Sequence, residues 1–171
     1  MMGEVESLSD RKLHETLAKQ INDEVWSLLD NPDRTEEDDE RLVLAAHASY
    51  YHWLHVGTAV HRQRGEWMLA HVHTVLSREA PARHHARRCL AFTETFAAEM
   101  KDFDVAYAYE AMARAAALAE DVDTARRYLP LAEVQGAHIA DEEDRTIFMG
   151  DLRRGPWFGI GLEGARETGQ A

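Results

Sequence analysis

The sequence predicts an all-α chain of about seven antiparallel helices in one domain, residues 1–154, followed by a short tail over 155–171. Three observations predict it. Apolar residues recur at i+3 and i+4 along nearly the whole length, the spacing of a single helix face. Period-two alternation with β-branched enrichment is absent, and no Asn-Gly or Asp-Gly hairpin turn occurs. Breaks between the apolar stripes are short, so consecutive helices must run antiparallel beside one another.

The first helix is expected from about Asp10 to Leu29, with Leu13, Leu17, Ile21, Val25 and Leu28 on one stripe and Ser9 as its N-cap. Asp30-Asn31-Pro32-Asp33 stops it, because proline disfavours helix in the residue before it. Thr35 and Asp38 have the spacing of a capping box, and five consecutive acids from Glu36 to Glu40 suit the positive end of a second helix. That helix continues through Leu42, Ala45, Ala46, Ser49, Tyr50 and Trp53 to Gly57, read as a left-handed C-terminal residue. The third covers about Ala59 to Ser77, with Trp67, Met68 and Val72 inward and a mid-helix Gly65 that marks a close crossing. Trp53 and Trp67, the largest side chains on these stripes, are expected to be buried and to hold helices two and three together. Pro81 fits the first position of helix four, which carries Ala82, Ala86, Cys89, Leu90 and Thr93. Helix five is expected from about Asp104 to Ala119. Helix six carries Ala125, Leu129, Ala132 and Val134, with Pro130 inside it, and helix seven carries Ile147, Phe148 and Leu152. The tail has too many glycines for a helix, yet Trp157, Phe158, Ile160 and Leu162 make it apolar. Such a segment should dock, either on its own last helices or on a second copy, and a homodimer is the expectation.

Composition narrows the function classes. The chain is 45% hydrophobic and 29% charged, ordinary for a globular protein. One cysteine excludes a disulfide framework and a multi-cysteine metal site. No stretch approaches the ~18 apolar residues of a membrane span. The acidic start, Met1 to Glu6, does not have the pattern of a signal peptide, so a cytoplasmic protein without a membrane partner is expected. Net charge is −12, the wrong sign for a nucleic-acid partner. Residues 41–100 are the exception, with seven arginines against four acids and eight of the ten histidines. An anionic ligand would be welcome there, although a solvated Arg/His surface explains the same pattern.

Two stretches share a finer pattern. Ala82-x3-Ala86-x2-Cys89 follows a turn at Ser77-Arg78, and Ala125-x3-Leu129-x2-Ala132 follows a turn at Glu120-Asp121. Small residues at these places let two helices cross closely. Over about residues 60–138 the chain resembles tetratricopeptide (TPR) repeats, with Leu69, Ala70 and His73, then Met112, Ala113 and Ala116, in the partner helices. It departs from them in the 43-residue offset between units, in the turn glycine replaced by Ser77 and Glu120, and in the leading tryptophan replaced by Glu66 and Tyr109. The resemblance implies stacked helical hairpins and a concave face that binds a protein or peptide.

The candidate chemistry is sparse. His47, Tyr51 and His55 share one face of helix two, and His61, Arg64 and His71 roughly share one of helix three. His73 is turned about 200° from His71, so the two cannot serve one site. The expected partner-binding groove is lined by Tyr51, His55, Arg64 and His71. The alternative is a small-ligand site, or a divalent transition-metal site of His47, His55, His61 and His71, since zinc-type sites need three or four converging ligands. Glu-x-x-His and His-Glu-x-x-His spacings are absent. Arg64 suits a carboxylate or phosphate, or else an interhelical ion pair, and Arg62 with Glu66 reads as a surface i,i+4 pair. Cys89 lies on an apolar stripe, the place of a small buried hydrophobe rather than a nucleophile. The expected function is a non-enzymatic binding or adaptor module that needs no cofactor.

Overall fold

The computed structural model describes residues 7–160. Among the described residues there are seven α-helices and no strand: α1 Leu8–Leu29, α2 Glu36–Val56, α3 Ala59–Val75, α4 Glu79–Thr95, α5 Asp102–Leu118, α6 Val122–Ala137 and α7 Glu142–Arg154. A 3-10 turn at Ala97–Glu99 joins α4 to α5. The closest pairs are α1 with α2, α3 with α4, and α5 with α6, so the chain is a row of helical hairpins. Beyond its hairpin partner, α5 also touches α3, α4 and α7, which makes it the central helix.

The side chains explain that centrality. Ala106, Ala108, Ala111, Ala113, Ala115, Ala116 and Ala117 are all buried, so α5 has little bulk to hold its neighbours away. Opposite them, Ala82, Ala86 and Cys89 of α4 and Ala125 and Ala132 of α6 are completely buried. The small-residue stripes read from the sequence are thus contact lines between neighbouring helices: that of α4 meets α3 and α5, and that of α6 meets α5. The first hairpin has a different core, Val25 and Leu28 of α1 against Leu42, Ala45 and Ala46 of α2 and Met68, Leu69 and Val72 of α3.

Two turns keep a glycine-like backbone without glycine. Ser77 has φ 54° and Glu120 φ 55°, both left-handed. Each closes its helix with a six-to-one bond, Arg78 N–H to the His73 carbonyl at 2.8 Å and Asp121 N–H to the Ala116 carbonyl at 2.9 Å.

Several boundaries differ from the sequence reading. Ser7, not Ser9, caps α1, because Ser7 and Asp10 satisfy each other's backbone N–H groups. Gly57 is extended (φ −84°, ψ 174°) rather than left-handed. Its missing Cβ matters for space instead, since that atom would lie 2.6 Å from the Trp53 carbonyl oxygen. Pro81 is the third residue of α4, a place where the absent N–H still has no intrahelical acceptor to lose. Helix α6 runs through Pro130, which lies on its exposed side. Leu13, Val134 and Ile147 are 56%, 60% and 52% exposed, not inward. All three lie in helices at or near the ends of the row, where fewer neighbours cover a helix. Of the tail, Trp157 and Ile160 pack on residues of α5, α6 and α7, and Trp157 Nε1 donates to the Leu152 carbonyl at 2.8 Å. Leu162 lies outside the described residues.

Two substitutions should move stability in opposite directions. A Cβ on Gly65 would meet the Tyr50 ring at 2.4 Å. Gly65→Ala should therefore destabilise by about 1–3 kcal/mol, although alanine is the better helix former. Glu120→Gly relieves a left-handed residue and should stabilise by about 0.5–1 kcal/mol. Urea denaturation of the two variants measures both signs.

Candidate functional site

Helices α3 and α5 carry polar side chains where an apolar stripe would be expected. Glu66, Asp104 and Glu110 are only 1%, 1% and 2% exposed. A buried carboxylate is tolerable only when paired and hydrogen-bonded, and each of these is. Glu66 accepts from Tyr50 Oη at 2.9 Å, Arg88 Nε at 2.7 Å and His85 Nδ1 at 2.7 Å. Burial alone would raise its pKa, but the bonds from His85, Arg88 and Tyr50 hold it below the usual carboxylate range. Asp104 accepts both Arg64 Nε at 2.8 Å and Arg64 Nη2 at 3.2 Å, and Arg64 lies over the Phe103 ring. Glu110 pairs with Arg114 one turn on and accepts Trp67 Nε1 at 3.1 Å. Arg114 in turn donates to the Asp151 carbonyl at 2.6 Å and stacks over Trp157.

Above this polar layer lies a cleft of about 500 Å³, bounded by α1, α2, α3, α5 and α7. Its walls are aromatic: Trp26, Tyr50, Trp53, Trp67, Phe103 and Tyr107. Lys19, Asp23, Arg64, Asp104 and Asp151 supply the charge. Tyr50 links the wall to the buried layer, and its pKa is pushed up to about 12 by burial and by the Glu66 charge. On the far side, Tyr107 donates to Asp151 Oδ2 at 2.7 Å, so two cleft-lining side chains hold one another. Trp53 and Trp67 are both half-buried. Trp53 joins α2 to α3 by stacking on His61 (centroids 4.2 Å apart), whereas Trp67 also reaches across to Glu110 of α5.

The four residues expected to line one groove do not converge. Arg64 lines the cleft, in the interhelical ion pair with Asp104. His71 stacks on Trp67 at 5.2 Å and lines a smaller recess behind it with Trp26, Glu110 and Arg114. Burial pushes its pKa down. Tyr51 and His55 are exposed and gather with α1 instead: His14 stacks on His55 at 4.0 Å, and Tyr51 meets His55 edge-on at 4.9 Å. His14 and His52 share a hydrogen bond between their Nδ1 atoms at 2.8 Å. Nor does the expected metal set assemble, because His55, His61 and His71 point to three different places. His47 joins His73 of α3 and His85 of α4, with one donor atom of each within 4.8 Å of the others. His73 is pushed down to about 4 by burial and by the neighbouring His85 and His47. The opposed directions of His71 and His73 are those read from their spacing.

Arg62 and Glu66 do not form a surface pair: Arg62 is exposed, while Glu66 turns inward. Cys89 is fully buried, and burial pushes its thiol up, away from a reactive thiolate. Sequence reasoning missed Gln63, Glu110 and Arg114. Gln63 is buried and donates to the Asp104 carbonyl at 2.9 Å. The available signal was polar residues in phase with apolar ones: Glu66, Leu69 and His73 fall at i, i+3 and i+7 on one face. Comparison with protein-family profiles, curated proteins and solved structures finds no significant match.

His71 gives a pH test. Its folded-state pKa lies below the value near 6.5 that it regains on unfolding. The unfolded chain therefore binds the extra proton first, and stability falls as pH drops below about 6.5. Urea denaturation at pH 7.5 and 5.5 should show this loss, and His71→Phe should make it smaller.

Proposed function

We propose that the chain is a non-enzymatic binding module whose aromatic cleft holds a short segment of a partner protein. One observation carries the reading: six aromatic side chains from four helices surround about 500 Å³ of open space. That volume lies within the range of about 300–1,000 Å³ in which pockets hold ligands. Aromatic residues and arginine are also the side chains that dominate binding energy at interfaces. An aromatic or branched aliphatic side chain of the partner would sit between Trp26, Trp53 and Trp67. Lys19, Asp23 and the Arg64–Asp104 pair would meet the flanking polar backbone. With a net charge of −12, the molecule favours a neutral or basic segment over an acidic one. The resemblance to tetratricopeptide hairpins supports the same use of a concave face. Of the four residues first expected at the groove, Arg64 is the one that lines this cleft.

A library of random twelve-residue peptides displayed on phage tests this. Selected peptides should carry an aromatic or branched aliphatic anchor. Calorimetry of the best one should show at least a tenfold loss with Trp53→Ala, about 1.4 kcal/mol, and no change with Tyr51→Ala. Loss with Tyr51→Ala alone would place binding on the outer face of α2. Selection of no peptide would overturn the reading.

A further inference from the structure

We propose that His47, His73 and His85, drawn from α2, α3 and α4, form a binding site for a divalent transition-metal ion of the zinc class. None of the three lines the cleft, so this site stands apart from the proposed binding function. The first support is convergence. One nitrogen from each ring lies within 4.8 Å of the other two. Ligands about 2.1 Å from a tetrahedral zinc ion stand roughly 3.4 Å apart, so small side-chain rotations close the site. His73 and His85 are stacked nearly parallel (5.8 Å, 6°), and His47 stands edge-on to both at 6.3 and 5.9 Å.

The second support is the hydrogen-bond pattern. Ionised Glu66 can only accept, so the 2.7 Å contact places the proton of His85 on Nδ1. In the neutral ring the lone pair then sits on Nε2. A carboxylate behind a histidine is the usual device for orienting a metal ligand and raising its basicity. His73 supplies an independent observation. It is 5% exposed, and its buried Nδ1 has no hydrogen-bond partner. Such a nitrogen is destabilising where it stands, and coordination at this ring would give the imidazole a use for its burial.

Charge does not oppose a cation. Arg88 is neutralised by Glu66, and Arg78 by Glu40. Three imidazoles without thiolate or additional carboxylate ligands select zinc, cobalt, nickel or copper over magnesium or calcium. His47 is exposed, so water could supply a fourth ligand. A bound ion would tie three consecutive helices together across two hairpins.

The test uses the full chain after treatment with chelator. Cobalt(II) should bind once and give the visible absorption of a tetrahedral ion, and zinc should displace it and raise the melting temperature. His47→Ala, at an exposed position, should leave the circular dichroism unchanged and weaken zinc binding at least tenfold. His85→Ala should weaken zinc binding as well, with some loss of stability because Glu66 loses one of its three partners, while His55→Ala, in the separate cluster with His14, should have no effect. Absence of cobalt absorption and of zinc binding at 0.1 mM metal, a roughly chosen ceiling well above structural zinc affinities, would overturn the proposal. So would full binding by His47→Ala.

Discussion

Three carboxylates buried on two facing helices set the terms for the rest of the molecule. A charged oxygen removed from water must find its partners inside the protein. Glu66 draws Tyr50 from α2 and His85 and Arg88 from α4. Asp104 takes Arg64 from α3. Glu110 takes Trp67 from α3, and through Arg114 it is joined to the Asp151 carbonyl of α7. Each pairing fixes the rotation of a helix about its own axis, which apolar contact alone does loosely. Removing one of these carboxylates would leave the donors gathered around it without their acceptor, so each set ties neighbouring helices together.

The same network explains why two different surfaces flank α3. Tyr50 presents its ring to the cleft and its hydroxyl to Glu66. The opposite carboxylate oxygen of Glu66 holds His85 beside His47 and His73. Gly65, next to Glu66 in sequence, leaves the gap into which the Tyr50 ring fits. The aromatic cleft and the histidine cluster are therefore two ends of one chain of contacts through Tyr50 and Glu66.

Most of the architecture was legible in the sequence. Helix periodicity, the Thr35–Asp38 cap and the small residues of α4 and α6 carry local signals that tertiary packing reinforces. The role of Gly65 and the opposed faces of His71 and His73 were legible too, because both follow from helix geometry. The site was less so. Periodicity tells which side of a helix a residue occupies, but not which of several neighbours it meets there. His47 was grouped with His55 on α2, yet its companions come from α3 and α4. Glu66 reads as half of a surface pair because its i−4 neighbour is Arg62, but its phase with Leu69 puts it on the inward face, where it is buried. His55 meets His14 of α1, a helix that the local pattern does not connect to it.

The alanine-filled interior of α5 has a consequence for how the sequence can change over time. Alanine has no side-chain rotamers to lose, so ordering these seven positions costs backbone entropy alone. Its contribution comes from close backbone approach and summed dispersion, not from large apolar surfaces. A longer side chain at any of these seven buried positions would force neighbouring side chains or backbone to shift. The first hairpin, cored by valine, leucine and methionine, can exchange one branched residue for another with local repacking. Mutational latitude is therefore graded along the row, narrow at the middle hairpin and wider toward α1.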